Sequence, residues 1–389
     1  MADIINLLSA LPPGSDLAAL RNRRPEAQVN AQCSFESLLE PVNPGTFSFG
    51  ERYAVATYVA GVHRSANAGT FYAELLLDDA PATLRDAVLA AVEQGLSSGP
   101  HGDGGVIRHD PRALGHRLAS ALDVAHLMVF HPRDARPEML GHLSAAGWSA
   151  DDTVSLTQLV AFLSFQLRLI HGMQVLNDQA KISEVEQAAG VAAQWELAAR
   201  SFEITTYPDV VGPAGFVSHP LEWKPWVPPM AGEELETPYF RLLARNPAAL
   251  KAHTLIELDI FHTLDGGIGR AERELAAAVT SRLNGCVYCT SVHAGRVKEE
   301  VGRARDLERL LAEGVAADLG DQLWNAVAEA AVALSHVPMR FGTVQVENLR
   351  KAGLDELAII DVVNAVAFAN WANRLRLVLG EPEVPQRFR

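Results

Sequence analysis

The chain has 389 residues, of which 48% are hydrophobic and 21% charged, with a formal net charge of −14. That length exceeds one ordinary core, and the balance is that of a folded globular protein rather than a disordered one. The acidic surplus argues against a nucleic-acid backbone or an anionic membrane surface as a general partner.

Along the chain, the opening "MADIINLLSALPPGSDLAAL" carries Asp3 and no basic region, so it does not read as a signal peptide. No uninterrupted apolar run reaches about 18 residues, so no transmembrane helix is expected. There are three cysteines, and two of them sit three residues apart. That inventory fits a reducing compartment, where a close pair is redox-active or metal-binding, and cytoplasmic is the default location. Cys33 stands alone and reads as a small buried filler.

Most of the remaining chain has helical periodicity. "TLRDAVLAAVEQGL" (83–96) and "QLWNAVAEAAVALSHV" (322–337) repeat apolar residues at three and four, and strand-like alternation is scarce. The expected fold class is all-α. Within the glycine-rich loop "SSGPHGDGGVIRHDP" (97–111), "GPHGDGG" (99–105) lacks the Lys-Ser/Thr of a phosphate loop and reads as a solvated turn. His63 and Arg64 read as packing or surface residues ahead of lining a vestigial pocket.

The chain also repeats itself. "AAGWSADDTVSLTQLVAFLSFQLRL" (145–169) returns as "KAGLDELAIIDVVNAVAFANWANRL" (351–375) at an offset of 206, carrying Arg168 onto Arg374. A structural ion pair is the expectation for these two arginines. Residues 114–132 match 319–338, and 47–73 match the stretch ending "GRAERELAAAVTSRLNGCVYCTSVHA" at an offset of 221. The expected organisation is two tandem helical domains, 1–176 and 236–389. The connector 177–235 is rich in Pro, Gly and Trp and should pack on the surface to cover its tryptophans.

The second copy carries "SRLNGCVYCTSVHAG" (281–295). Asn284 is a favoured N-cap, which would place Cys286 in the first turn of a helix, with Cys289 at i+3 and His293 four residues on. A thiolate there gains from the helix start, a dithiol one turn apart closes to a disulfide, and an imidazole nearby serves as base. Glu274, twelve residues before Cys286, folds back toward His293 if the chain bends at Asn284-Gly285. In the first copy these positions are Tyr53, Ser65, Ala68 and Tyr72. The repeated scaffold therefore does not itself need the reactive set. Cys286, Cys289 and His293 also make three zinc-type ligands, though no fourth lies at usual spacing.

Glu, eleven residues, then Cys-x-x-Cys-x-x-x-His resembles the motif of the AhpD-like alkylhydroperoxidases of the carboxymuconolactone decarboxylase superfamily. The resemblance covers most of the second copy and, in degenerate form, the first. It implies an all-α, homo-oligomeric, cofactor-free peroxidase, with Cys289 the peroxidatic thiol, Cys286 the resolving one and Glu274–His293 a proton relay. The implied partners are a small hydroperoxide and an external dithiol reductant. The first copy departs from the motif at all four positions and is expected to be silent. Two other classes stay open. One is a thiol–disulfide oxidoreductase or a decarboxylase relative acting on an organic acid. The other is a non-catalytic helical binding or scaffold protein.

Overall fold

The computed structural model describes residues 3–101, 107–177, 216–231, 235 and 237–383. The first ten helices are α1 Ile4–Leu8, α2 Asp16–Arg21, α3 Pro25–Leu39, α4 Phe49–Val62, α5 Ala66–Asp79, α6 Ala82–Gly95, α7 Pro111–Leu114, α8 His116–Phe130, α9 Pro137–Ala145 and α10 Ala150–Leu176. After the linking segment come β1 Glu222–Pro225, α11 Pro238–Leu243, α12 Pro247–His262, α13 Arg270–Asn284, α14 Val287–Val301, α15 Ala304–Glu313, α16 Gln322–Ser335, α17 Thr343–Lys351, α18 Glu356–Leu379 and β2 Gly380–Glu383. The fold is all-α, with one two-stranded antiparallel ribbon, β1–β2, among the described residues.

Local sequence sets the helix starts. Pro25 and Pro247 open α3 and α12, where a missing N–H costs nothing. Ser48 and Glu51 form a reciprocal capping box at α4. The two longest helices are capped alike: Ser149 Oγ accepts from Asp152 N at 3.1 Å, and Asp355 Oδ1 from Ala358 N at 2.8 Å.

Those long helices, α10 and α18, are apolar almost all round, so both sit inside and pack against each other. Phe162 and Phe165 of α10 each lie 5.3 Å from the Trp371 ring of α18. By length and composition α10 could cross a membrane, but its apolar window is 83% buried in the protein, as a core helix is. A second pair, α3 and α12, packs alongside.

The order α3, α4, α5, α6, α8, α9, α10 is matched in the second half by α12, α13, α14, α15, α16, α17, α18. Matching side chains make matching bonds. Arg52 donates to Leu38 O at 2.6 Å, and Arg273 donates to Ile260 O at 2.8 Å. Arg168 donates to Ser335 O at 2.9 Å, and Arg374 donates to Val129 O at 3.3 Å. These last two arginines are fully buried, and among the described residues neither makes the expected ion pair. Each gives one further N–H to the carbonyl four residues back, Ser164 O or Asn370 O. Carbonyl oxygens, not carboxylates, take the charge.

Most of the connector lies outside the described residues. Its end, 216–231, lies on the second half. There Trp223 is buried and donates its indole N–H to Arg376 O at 3.1 Å, while Trp226 N donates to Leu379 O at 2.8 Å.

Candidate active site

Gly285 ends α13 with φ +77°, a left-handed conformation that only glycine adopts freely. A side chain there would also press on Arg133 of the first half, whose Cβ would lie 3.1 Å from the added carbon. The next residue, Cys286, is the N-cap of α14, and its Sγ accepts the Cys289 N–H at 3.3 Å. This corrects the expected cap. Asn284 is the last residue of α13, and its amide donates inward to Asn370 Oδ1 and Asn373 Oδ1 at 3.1 and 2.9 Å. The helix starts two residues later than the asparagine signal implied because the glycine, not the asparagine, makes the break.

Capping puts the two sulfurs 2.6 Å apart, both as free thiols and both almost wholly buried. Their environments differ. Burial pushes the Cys286 thiol up, and the neighbouring Cys289 pushes it further. Burial also raises Cys289, but the Cys286 S–H, the Arg376 charge and the Asn373 side chain outweigh it and bring that thiol below its ordinary range. These opposite shifts favour the thiolate form at Cys289 over Cys286.

The bend at Gly285 returns α14 alongside α13 and brings Glu274 to His293. Glu274 Oε2 lies 2.6 Å from His293 Nδ1, with the carboxylate 0% exposed. Two arginines that sequence reasoning missed share this carboxylate: Arg296 at 3.3 Å and Arg270 at 3.8 Å. Arg270 also pairs with Glu300 at 2.8 Å. Burial raises the Glu274 carboxyl, but His293, Arg296 and Arg270 together hold it below the usual carboxylate range. With Nδ1 committed to Glu274, Nε2 of His293 is the nitrogen left for proton exchange. The expected four, Glu274, Cys286, Cys289 and His293, thus come from one helical hairpin.

The rest of the wall is distant in sequence. Leu377 and Tyr288 form an apolar cluster with the cysteines. The 216–223 segment lies over α13 and α14: Phe216 stacks on Arg282 at 4.0 Å, and Ser218 O lies 3.2 Å from where a Gly295 side chain would begin. Among the described residues, no group of three or more His, Cys, Asp or Glu side chains is arranged to hold a metal ion.

The first half carries other residues at the positions aligned with this set. Ser65 is the N-cap of α5, as Cys286 is of α14. Tyr72, aligned with His293 in the sequence comparison, is fully buried and donates to Gln166. Of the two residues read as packing or surface, His63 is buried and Arg64 is exposed, at the edge of a 590 Å³ cavity lined also by Ser65, Thr70 and Arg85. Cys33 is not a buried filler; it is half-buried and lines a 1050 Å³ cavity between α3 and α12. The glycine-rich loop is described only at its ends. There Gly99 and Pro100 are buried, with Gly99 bridged to Val337, and His101 Nε2 donates to Leu283 O. This part is not the solvated turn expected.

Residues 247–333 match the model of the carboxymuconolactone decarboxylase family. The matched stretch contains Glu274, Cys286, Cys289 and His293 and stops before α18. A comparison with curated proteins finds no match.

Proposed function

We propose that this chain is a thiol-dependent peroxidase reducing small hydroperoxides through a Cys286/Cys289 dithiol–disulfide cycle. The match at 247–333 supports a peroxidase- or decarboxylase-related function. The observation that carries the finer reading is the pair of sulfurs 2.6 Å apart, with the more acidic one a single turn from a histidine locked to a buried carboxylate. A decarboxylation site has no use for a dithiol so poised to couple.

In this mechanism His293 Nε2 takes the Cys289 proton, and Glu274 stabilises the imidazolium through Nδ1–H. The thiolate attacks the terminal oxygen of ROOH and the O–O bond breaks. RO⁻ takes the proton back from His293 and leaves as ROH, with Cys289 oxidised to the sulfenic acid. The Cys286 thiol condenses with it, forming the disulfide and water. An external dithiol then reduces the disulfide by exchange and is itself oxidised. We also read 1–176 and 236–389 as copies of one ancestral unit joined by 177–235, with chemistry only in the second. The recurring helix order and the reciprocal arginine bonds support this.

The test is peroxide consumption by the purified chain with a dithiol reductant. Stoichiometric loss of peroxide and reductant is expected. Disulfide exchange on a model substrate without any peroxide loss would leave only an oxidoreductase.

A further inference from the structure

A thiolate as deeply buried as Cys289 needs a positive charge beside it. The obvious candidates are already used. The Cys289 N–H at the helix start is taken by Cys286 Sγ. His293, Arg296 and Arg270 all face Glu274. Arg376 is the exception. Among the described residues it makes no ion pair and no side-chain hydrogen bond. Its guanidinium carbon lies instead 3.4 Å from the ring centre of Tyr239, 4.2 Å from Tyr288 and 5.2 Å from Trp223.

These rings come from three elements, α11, α14 and β1, and Tyr288 is the residue before Cys289. The same stretch of α18 forms the wall of the site. Leu377 clusters with the cysteines, and Asn373, a turn earlier, favours the Cys289 thiolate while holding Asn284 and Ser281. The choice of cage is chemically telling. A carboxylate partner would hold the arginine but cancel its field at the sulfur. Aromatic faces hold a cation through their quadrupoles and leave its net charge intact.

We propose that Arg376, caged by Tyr239, Tyr288 and Trp223, is the charge that makes Cys289 the attacking thiol, and that the strand β1 carrying Trp223 is therefore part of the active site. Other groups face Cys289 as well. Cys286 and Asn373 favour its thiolate, and Glu257 of α12 opposes it. Tyr239 lies close enough to feel both cysteines, and His253 of α12 feels Arg376. The ribbon adds Glu222, Lys224, Glu381 and Glu383. Among the described residues, Arg376 is the one full positive charge in this set that favours the Cys289 thiolate, and it sits on the ring of the adjacent Tyr288 without an acidic partner.

The proposal rests on Cys289 being the attacking thiol but not on peroxide being its target, so it is tested on the thiol itself. In a Cys33→Ser background, iodoacetamide alkylation of the reduced protein is measured against pH, with Cys289 identified by peptide mapping. Arg376→Met should raise the Cys289 midpoint by about one pH unit or more, the scale of one adjacent charge. Arg376→Lys should keep most of the wild-type midpoint, because the charge remains. If Arg376→Met does not fold, Trp223→Leu decides, with a smaller rise expected from a loosened cage. An unmoved midpoint in a folded Arg376→Met or Trp223→Leu protein would overturn the proposal, as would equal rises in the Lys and Met variants. A shifted midpoint in a protein that consumes no peroxide would keep Arg376 in this role and sink the peroxidase reading instead.

Discussion

Replacing Glu274 by glutamine changes one oxygen to an amide nitrogen and removes a charge from a site with 0% exposure. The shape is kept, and the amide oxygen still accepts the His293 Nδ1–H. What is lost is the difference between a charged and a neutral hydrogen bond, on the order of 1–2 kcal/mol in a buried site. At about 1.4 kcal/mol per tenfold, this predicts a fall of roughly 5- to 30-fold in the rate constant for peroxide reduction. His293→Ala removes the base itself and should cost about 10²- to 10⁴-fold. Because the carboxylate acts only through the ring, adding Glu274→Gln to His293→Ala should do little more harm. The assay is stopped-flow peroxide consumption at fixed pH for the four proteins of this cycle. Losses that multiply, or faster attack in Glu274→Gln from relief of negative charge near the thiolate, would refute the relay and leave Glu274 as a structural partner of Arg296 and Arg270.

Mild peroxide should reduce the thiols titratable under denaturing conditions from three to one, with mass mapping placing the bond at Cys286–Cys289; a bridge to Cys33 would contradict the site. A Cys286→Ser, Cys289→Ser double variant should fold normally and show no peroxide turnover, because Ser65, Ala68 and Tyr72 offer nothing in their place; parental activity in it would put the chemistry in the wrong half. Stability should decline as pH falls from neutral. Burial, then the Arg376 charge, pushes His253 down to about 3, and burial pushes His336 down to about 4. Both stay neutral in the fold while the unfolded chain protonates near 6.5, so their contribution is complete above that pH and is lost as pH drops toward the folded values. The His336 gap alone corresponds to about 3 kcal/mol. Urea midpoints that stay flat from pH 7 to 4 would contradict this, and His253→Phe should lessen the slope.

The helices and the reactive hairpin were legible because both are local. Apolar spacing of three and four marks helices wherever it occurs, and Glu274, Cys286, Cys289 and His293 lie within 20 residues of sequence. The cap was misplaced by two residues because cysteine sulfur is a rare capping acceptor and the neighbouring asparagine a common one. Arg376 and Trp223 carried no signal. Their meeting depends on a ribbon pairing residues more than 150 positions apart, which no periodicity encodes. The sequence alignment set Arg168 against Arg374 but gave no sign of what they bind. Equivalence fixes a position, whereas the partner is set by how the two halves lie on each other.

That crossed pair of arginines also bears on how the molecule comes apart. Each buried guanidinium donates to a carbonyl of the opposite half. Pulling the halves apart would strand both cations in apolar surroundings at the moment α10 and α18 lose their cover. Neither half is then a folding unit in its own right, and a single calorimetric transition is expected instead of two. Two separate subunits joined in this way would part on dilution, but here the tether keeps the partner at a constant effective concentration. Under the proposed duplication, a half that always has its mate is relieved of any duty but to be its mate, which gives a physical route by which one side can shed its reactive residues while the other keeps them.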